Sequence, residues 1–195
     1  MAIETGFFLD AGLSQTAVSR TFTQKEDGSS NPVDALLYFG CPNGAKKAQA
    51  ESNPGTDPIT LSLVTAVAAW SASTAYNVGD IVQPTVPNGY KYQCVAAGIS
   101  GVNEGTWSTS IGSQWIDNGV TWLCLDTIHL ESEFKLSTSQ AGLDTAVAGA
   151  SLEVGATING GTPISIHIRG DQGIHPFGTY SDVKLQSNSI LETAL

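Results

Sequence analysis

Hydrophobic and polar residues alternate with a period of two in several short runs of this 195-residue chain, and those runs are its main structural signal. Ala35-Leu36-Leu37-Tyr38-Phe39-Gly40 is an apolar run of strand length, stopped by Cys41-Pro42-Asn43-Gly44. Ile59, Leu61 and Leu63 alternate with Thr60 and Ser62 after the turn signal Asn53-Pro54-Gly55-Thr56-Asp57-Pro58. From Ile128 to Ser137, Ile128, Leu130, Phe134 and Leu136 lie on one face and His129, Glu131, Glu133 and Lys135 on the other, which predicts one half-buried antiparallel strand. Leu152, Val154, Ala156 and Ile158 share a face, as do Ile164, Ile166 and Ile168. With Asn159-Gly160-Gly161 between them they predict a hairpin from Leu152 to Arg169. Asp182 to Ser187 reads as a last strand, and Thr16 to Thr23 as an early one followed by a turn at Glu26-Asp27-Gly28. The segment before Thr16 reads either as an arm that orders against a partner or as a loose terminus. Lys46 to Glu51 fits a helical turn or an edge strand, and Ala141 to Ala148 a helical turn ended by Gly149.

Between these aliphatic, Thr- and Ser-rich flanks the pattern changes. All four tryptophans and two of the three cysteines fall between Trp70 and Cys124. Three strands are predicted there: Ile81-Val82-Gln83 after Asn77-Val78-Gly79-Asp80, Tyr90 to Val95 after Pro87-Asn88-Gly89, and Val120 to Cys124 after Asp117-Asn118-Gly119. Tyr90, Tyr92 and Cys94 share a face, and so do Val120, Trp122 and Cys124. Neither flank holds enough strands to cover its own apolar face, with about three before residue 66 and about four after 127. The expected fold is therefore all-β. Residues 1–67 and 127–195 form a discontinuous, immunoglobulin-like β-sandwich host, and 68–126 form a small inserted three-stranded, carbohydrate-binding-like β module. Residues 64–69 and 125–127 serve as linkers.

Charge narrows the function classes. The formal net charge is −10, and eight basic residues are scattered singly apart from Lys46-Lys47, so no patch is available for nucleic acid. No apolar run approaches the ~20 residues of a membrane span, and membrane insertion is not expected. The first fifteen residues have no basic stretch followed by an apolar one, so synthesis and first folding in the cytoplasm are expected. The three cysteines have no C-x-x-C spacing; Cys94 and Cys124 read as buried thiols ahead of a disulfide. His129, His167 and His175 are isolated in sequence, the carboxylates are dispersed, and no nucleophile or phosphate-loop motif is present. No catalytic residue, metal or cofactor is expected, and the protein reads as a non-enzyme. Arg169-Gly170-Asp171 spells an adhesion tripeptide but sits where a strand ends in an ordinary turn.

One set of motifs is more specific. Trp70, then Tyr76-Asn77-Val78-Gly79-Asp80-Ile81-Val82, then Gly89-Tyr90-Lys91-Tyr92-Gln93-Cys94 and Gly101, resembles the small chitin-binding modules of bacterial chitinases. The likeness covers about a quarter of the chain. It departs after Gly101, where Glu104-Gly105-Thr106-Trp107 replaces a Glu-Pro, and after Cys94, where Val95-Ala96-Ala97 replaces a pair of aromatics. Asp117-Asn118-Gly119-Val120-Thr121-Trp122-Leu123-Cys124 is similar to the close of the same module in tailed-bacteriophage virion proteins. Short stretches of the flanks, Asp34 to Gly40, Asn53 to Ile59 and Phe134 to Ser137, also resemble small phage structural proteins. The resemblance implies a tight turn at Gly79-Asp80 and a core containing Trp70, Tyr76, Tyr92, Cys94, Trp122 and Cys124. Tyr90, Trp107 and Trp115, beside turns or in loops, are the candidates for stacking on a sugar. The function implied is a capsid decoration protein in the virion, assembled in the host cytoplasm. Its partners would be other capsid or tail subunits, copies of itself and surface glycans. A tail or neck accessory protein and a soluble carbohydrate-binding protein are the alternatives.

Overall fold

The computed structural model describes residues 3–19, 21, 32–170, 175 and 181–195. In chain order its strands are β1 (Gly6–Phe8), β2 (Val33–Gly40), β3 (Lys46–Ala50) and β4 (Thr60–Thr65). There follow β5 (Ala68–Ala69), β6 (Ala75–Tyr76), β7 (Ile81–Gln83), β8 (Tyr90–Ala96), β9 (Gly98–Ile99), β10 (Gln114–Asp117) and β11 (Val120–Thr127). The last are β12 (Phe134–Ser137), β13 (Leu152–Glu153), β14 (Thr157–Asn159), β15 (Ile164–Gly170), β16 (Val183–Ser187) and β17 (Ile190–Ala194). The helical content among the described residues is two 3-10 turns, Glu131–Glu133 and Ala141–Asp144, so the protein is all-β. The chain divides into two compact units, one of residues 1–64, 131–174 and 185–195, the other of 65–130 and 175–184. Residues 175–184 thus group with the aromatic segment, whereas the pattern assigned them to the flanks. Residues 68–69 and 125–127 are not linkers: they are β5 and the end of β11.

In the first unit two sheets run β1-β2-β15-β12 and β14-β3-β17; a third is ordered β13-β4-β16. β15 is the spine of the first: it pairs β2 from Ile164↔Phe39 to Gly170↔Val33 and β12 on its other side. Leu37, Phe39, Phe134, Leu136, Ile166 and Ile168 are buried, in keeping with their alternation. Arg169, expected at the end of a strand with the turn at Gly170-Asp171, lies within β15, which runs on through Gly170, and is committed to structure. Its Nε and Nη2 donate to the two Asp34 oxygens at 2.7 and 2.9 Å, and Nη1 donates to Asp144 at 2.6 Å. Asp171 lies outside the described residues.

Four expectations for this unit are corrected. Ile128–Ser137 is not one strand: Ser132 occupies the face that alternation reserves for an apolar residue, and a 3-10 turn at Glu131–Glu133 leaves only β12. The hairpin from Leu152 to Arg169 does not form. Gly155, at φ +111°, splits its first arm, so that β13 joins β4 and β14 joins β3, while β15 belongs to another sheet. Lys46–Ala50 is a central strand, not an edge, because β17, absent from the sequence reading, covers its second side. The early strand is reduced to one bridge between Thr16 and Phe8, and residues 17–19 and 21 are not strand. The remaining positions of Thr16 to Thr23, and the turn at Glu26, lie outside the described residues.

The segment before Thr16 is ordered on its own chain. β1 pairs the end of β2 (Gly6↔Gly40 to Phe8↔Tyr38), Phe7 lies 5.1 Å from the Phe39 ring, and Phe8 and Leu13 are buried. Glu192 holds its first residues: Oε1 accepts from Glu4 N, Thr5 N and Thr5 Oγ1 at 2.6–2.7 Å, and Oε2 from Lys46 Nζ at 3.0 Å. Burial pushes the Glu192 carboxyl up, but these donors outweigh it and hold the group down at about 2.

The second unit is built on a five-stranded sheet ordered β10-β11-β8-β7-β5, with β6 and β9 as a separate pair. The three expected strands are β7, β8 and β11; the module has more strands than three because the short β5, β6, β9 and β10 carry too few alternating residues to register as patterns. Antiparallel pairing sets Trp122 opposite Cys94 and Cys124 opposite Tyr92, which places their large side chains on one buried face.

Candidate functional site

The aromatic segment makes one cluster. Trp70, Tyr76, Val82, Tyr92, Cys94, Val120, Trp122 and Cys124 are buried together, with Tyr90, Trp107 and Trp115 packed half-buried against them. Tyr76 meets the Trp122 ring edge-on at 4.9 Å, and Trp107 lies 4.4 Å from Tyr92, 4.9 Å from Trp115 and 5.7 Å from Trp122. Trp107 thus packs against three rings of the module while remaining half-buried. Trp115, expected in a loop, is in β10, and a side-chain carbon at Gly105 would come within 2.6 Å of its ring. Among the described residues no Phe, Tyr or Trp is exposed; the exposed large side chains of this unit are aliphatic, with Val86, Val102 and Ile116 foremost.

Asp117 ties the cluster together. Its side chain is buried, Oδ2 accepts from Trp70 Nε1 at 2.8 Å and from Trp122 Nε1 at 3.4 Å, and Oδ1 accepts from Gly101 N at 2.8 Å. Indole N–H groups in a core need an acceptor, and one carboxylate here serves two of them. Glu104 has a similar part in the next loop. It accepts from Trp107 Nε1 and Thr85 N at 2.8 and 2.9 Å, and from the Thr85 hydroxyl. Neither carboxylate was singled out by the sequence reading. The sequence signal for Asp117 is its place in the Asp117-to-Cys124 motif, where Asp117-Asn118-Gly119 reads as a turn.

The turns are closed by the same kind of bond. Gly79 has φ +99°, Asp80 Oδ2 accepts from Asn77 N at 2.8 Å, and Gly79 N and Cys94 N donate to Cys94 O and Asp80 O. Tyr92 Oη accepts from Asn88 Nδ2 and donates to Ser108 O. Buried Ser100 binds Ser71 O and Thr74 N, pinning the loop after Trp70. Cys94 and Cys124 are free and buried, and burial pushes both thiols up, away from the reactive thiolate.

Two further features complete the unit. A shallow recess of about 460 Å³ is lined by Ser73, Ile99, Gly101, Val102, Asn103 and Asn118 over the buried Ser100 and Asp117. Its rim is polar and aliphatic. His129 and His175, isolated in sequence, stack at 3.9 Å, with His175 Nδ1 3.3 Å from the Thr127 hydroxyl. Asp182 Oδ2 accepts from His129 N at 2.8 Å; burial raises the Asp182 carboxyl, and the His129 hydrogen bonds outweigh it and keep it below the usual range. His167 is in β15. No helix among the described residues is long and apolar enough to cross a membrane.

No protein-family model, no curated protein and no solved structure matches the chain.

Proposed function

We propose that this protein is a non-enzymatic structural component of a tailed-bacteriophage virion, a capsid decoration protein. The first unit docks on capsid subunits and on further copies of the chain, and the aromatic module is carried exposed on the particle. The observation that supports this reading is the convergence of the motif residues, Trp70, Tyr76 and Gly101 of the chitin-binding-module likeness and Asp117, Trp122 and Cys124 of the phage-module likeness, on one core around the Asp117 carboxylate. Motif residues that build a core mark a fold element reused as a unit. The non-enzymatic part is supported by how the buried carboxylates are employed: Asp117, Asp182 and Glu192 each receive hydrogen bonds from this chain's own donors. Glycan contact is a subordinate role, made many-copied and weak rather than through one deep pocket.

Negative-stain electron microscopy of purified virions, with gold-labelled antibody raised against the 65–130 segment, tests the reading. Label at regular positions on the heads supports decoration. Label on tails or necks moves the assignment there, and unlabelled particles remove it.

A further inference from the structure

We propose that the N-terminal arm, residues 3–17, is an exchangeable connector, the arm of one copy of this chain occupying the β2 edge of another. The inference does not depend on the virion reading. It begins from how the arm is built. Leu9 N donates to Gln15 O and Ala17 N to Phe7 O at 2.8 Å, and Phe8 bridges Thr16. Asp10 accepts from Ser14 N, Ser14 Oγ and Gln15 N, closing the tip, where Leu13 takes φ +53°. The arm therefore holds a hairpin shape by its own hydrogen bonds, whichever surface it lies on.

Its attachment to the body is short and localised. Three residues of β1 pair the end of β2, Phe8 and Leu13 are its buried knobs, and Leu13 packs so closely on Gly40 that a side-chain carbon there would come within 2.9 Å of it. The Glu192 clamp is the polar anchor of its first residues. Without the arm, β2 would present a free strand edge and an apolar notch at Phe39-Gly40, a surface that must be covered. The arm of a second copy covers it with identical contacts, so exchange sacrifices none of them, and concentration decides between the two arrangements. Fifteen residues, 18–32, separate the arm from β2 in the sequence.

The test replaces Phe7 with the photo-cross-linker p-benzoylphenylalanine, an aromatic for an aromatic, in the full chain. Equal amounts of ¹⁴N- and ¹⁵N-labelled protein are mixed, incubated at a series of concentrations, irradiated and digested. Cross-links between the arm peptide and the β2 peptide within one isotope show that the arm docks and the variant folds. The result expected is that links joining a ¹⁴N arm to a ¹⁵N β2 peptide rise with concentration. In Glu192→Gln, whose clamp is weakened, they form more than about tenfold faster. Same-isotope links alone, at every concentration and in both proteins, overturn the proposal.

Discussion

Asp117 and Trp70 lie 47 positions apart in the chain, and the Asp117 carboxylate accepts the Trp70 indole N–H at 2.8 Å. The same oxygen reaches Trp122, and its partner oxygen takes Gly101 N, so one residue links the opening, middle and close of the aromatic segment. Asp117→Ala strands three donors in a core, and at about 1–3 kcal/mol for each unmet group the second unit should lose at least about 3 kcal/mol. Asp117→Asn, which keeps one acceptor oxygen, should lose about 1–3 kcal/mol. All four tryptophans belong to this unit, so denaturant unfolding followed by tryptophan fluorescence reads it alone.

Trp107 separates a core role from a ligand platform. Trp107→Ala should lower the second unit's stability by about 3–5 kcal/mol, because Tyr92, Trp115 and Trp122 lose a packed neighbour. Val102→Ala and Ile116→Ala, at positions 76% and 72% exposed, should change it by less than about 0.5 kcal/mol. A Trp107→Ala protein of undiminished stability that no longer adheres to a polysaccharide matrix would identify the ring as a sugar platform instead.

The arm should loosen in acid. Glu192 is depressed from 4.5 to about 2 in the folded chain, so its contribution is complete above about pH 4.5 and is lost as the pH falls towards 2. Allowing for solvent around the Glu4 end of the network, the loss is roughly 2 kcal/mol. Amide hydrogen-exchange protection at Thr5 should fall through that window in the wild type. Glu192→Gln should show weak protection already at neutral pH, without the acid step; protection unchanged in the variant would exclude the clamp.

Thiol chemistry gives a further check. Cys41, Cys94 and Cys124 are buried and free, so Ellman's reagent should label none of them in the native protein and all three in denaturant. One thiol reacting rapidly under native conditions would place a cysteine at the surface and contradict the burial described here.

The legible parts of this fold were those where one element supplies its own pattern. β2, β4, β7, β8 and β11 carry clean alternation or an apolar run between turn signals, and each is predicted within two residues of its bounds except β11, read as ending at Cys124 where it runs to Thr127. Failures arose where long-range pairing decided. Ile158 and Ile164 look like two sides of a hairpin, yet Gly155 bends the chain so that their strands enter different sheets. Ile190, Thr193 and Ala194 show no period, and β17 exists because β3 has a side to cover. The site followed the same rule. Size and spacing pointed to Trp70, Tyr92 and Trp122 as core-forming residues, but not to Asp117, because a buried acceptor cannot be recognised before its donors are known. His175 and Asp182 reach His129 from far along the chain, a meeting that no local pattern records.

The most direct test of the central claim is mass spectrometry of phage particles banded on a density gradient from a lysate of the producing host. A virion structural protein predicts peptides from both units of this chain in the banded particles, at a fixed ratio to the major capsid protein across independent preparations. Peptides confined to the soluble fraction, and absent from the particles, would contradict it.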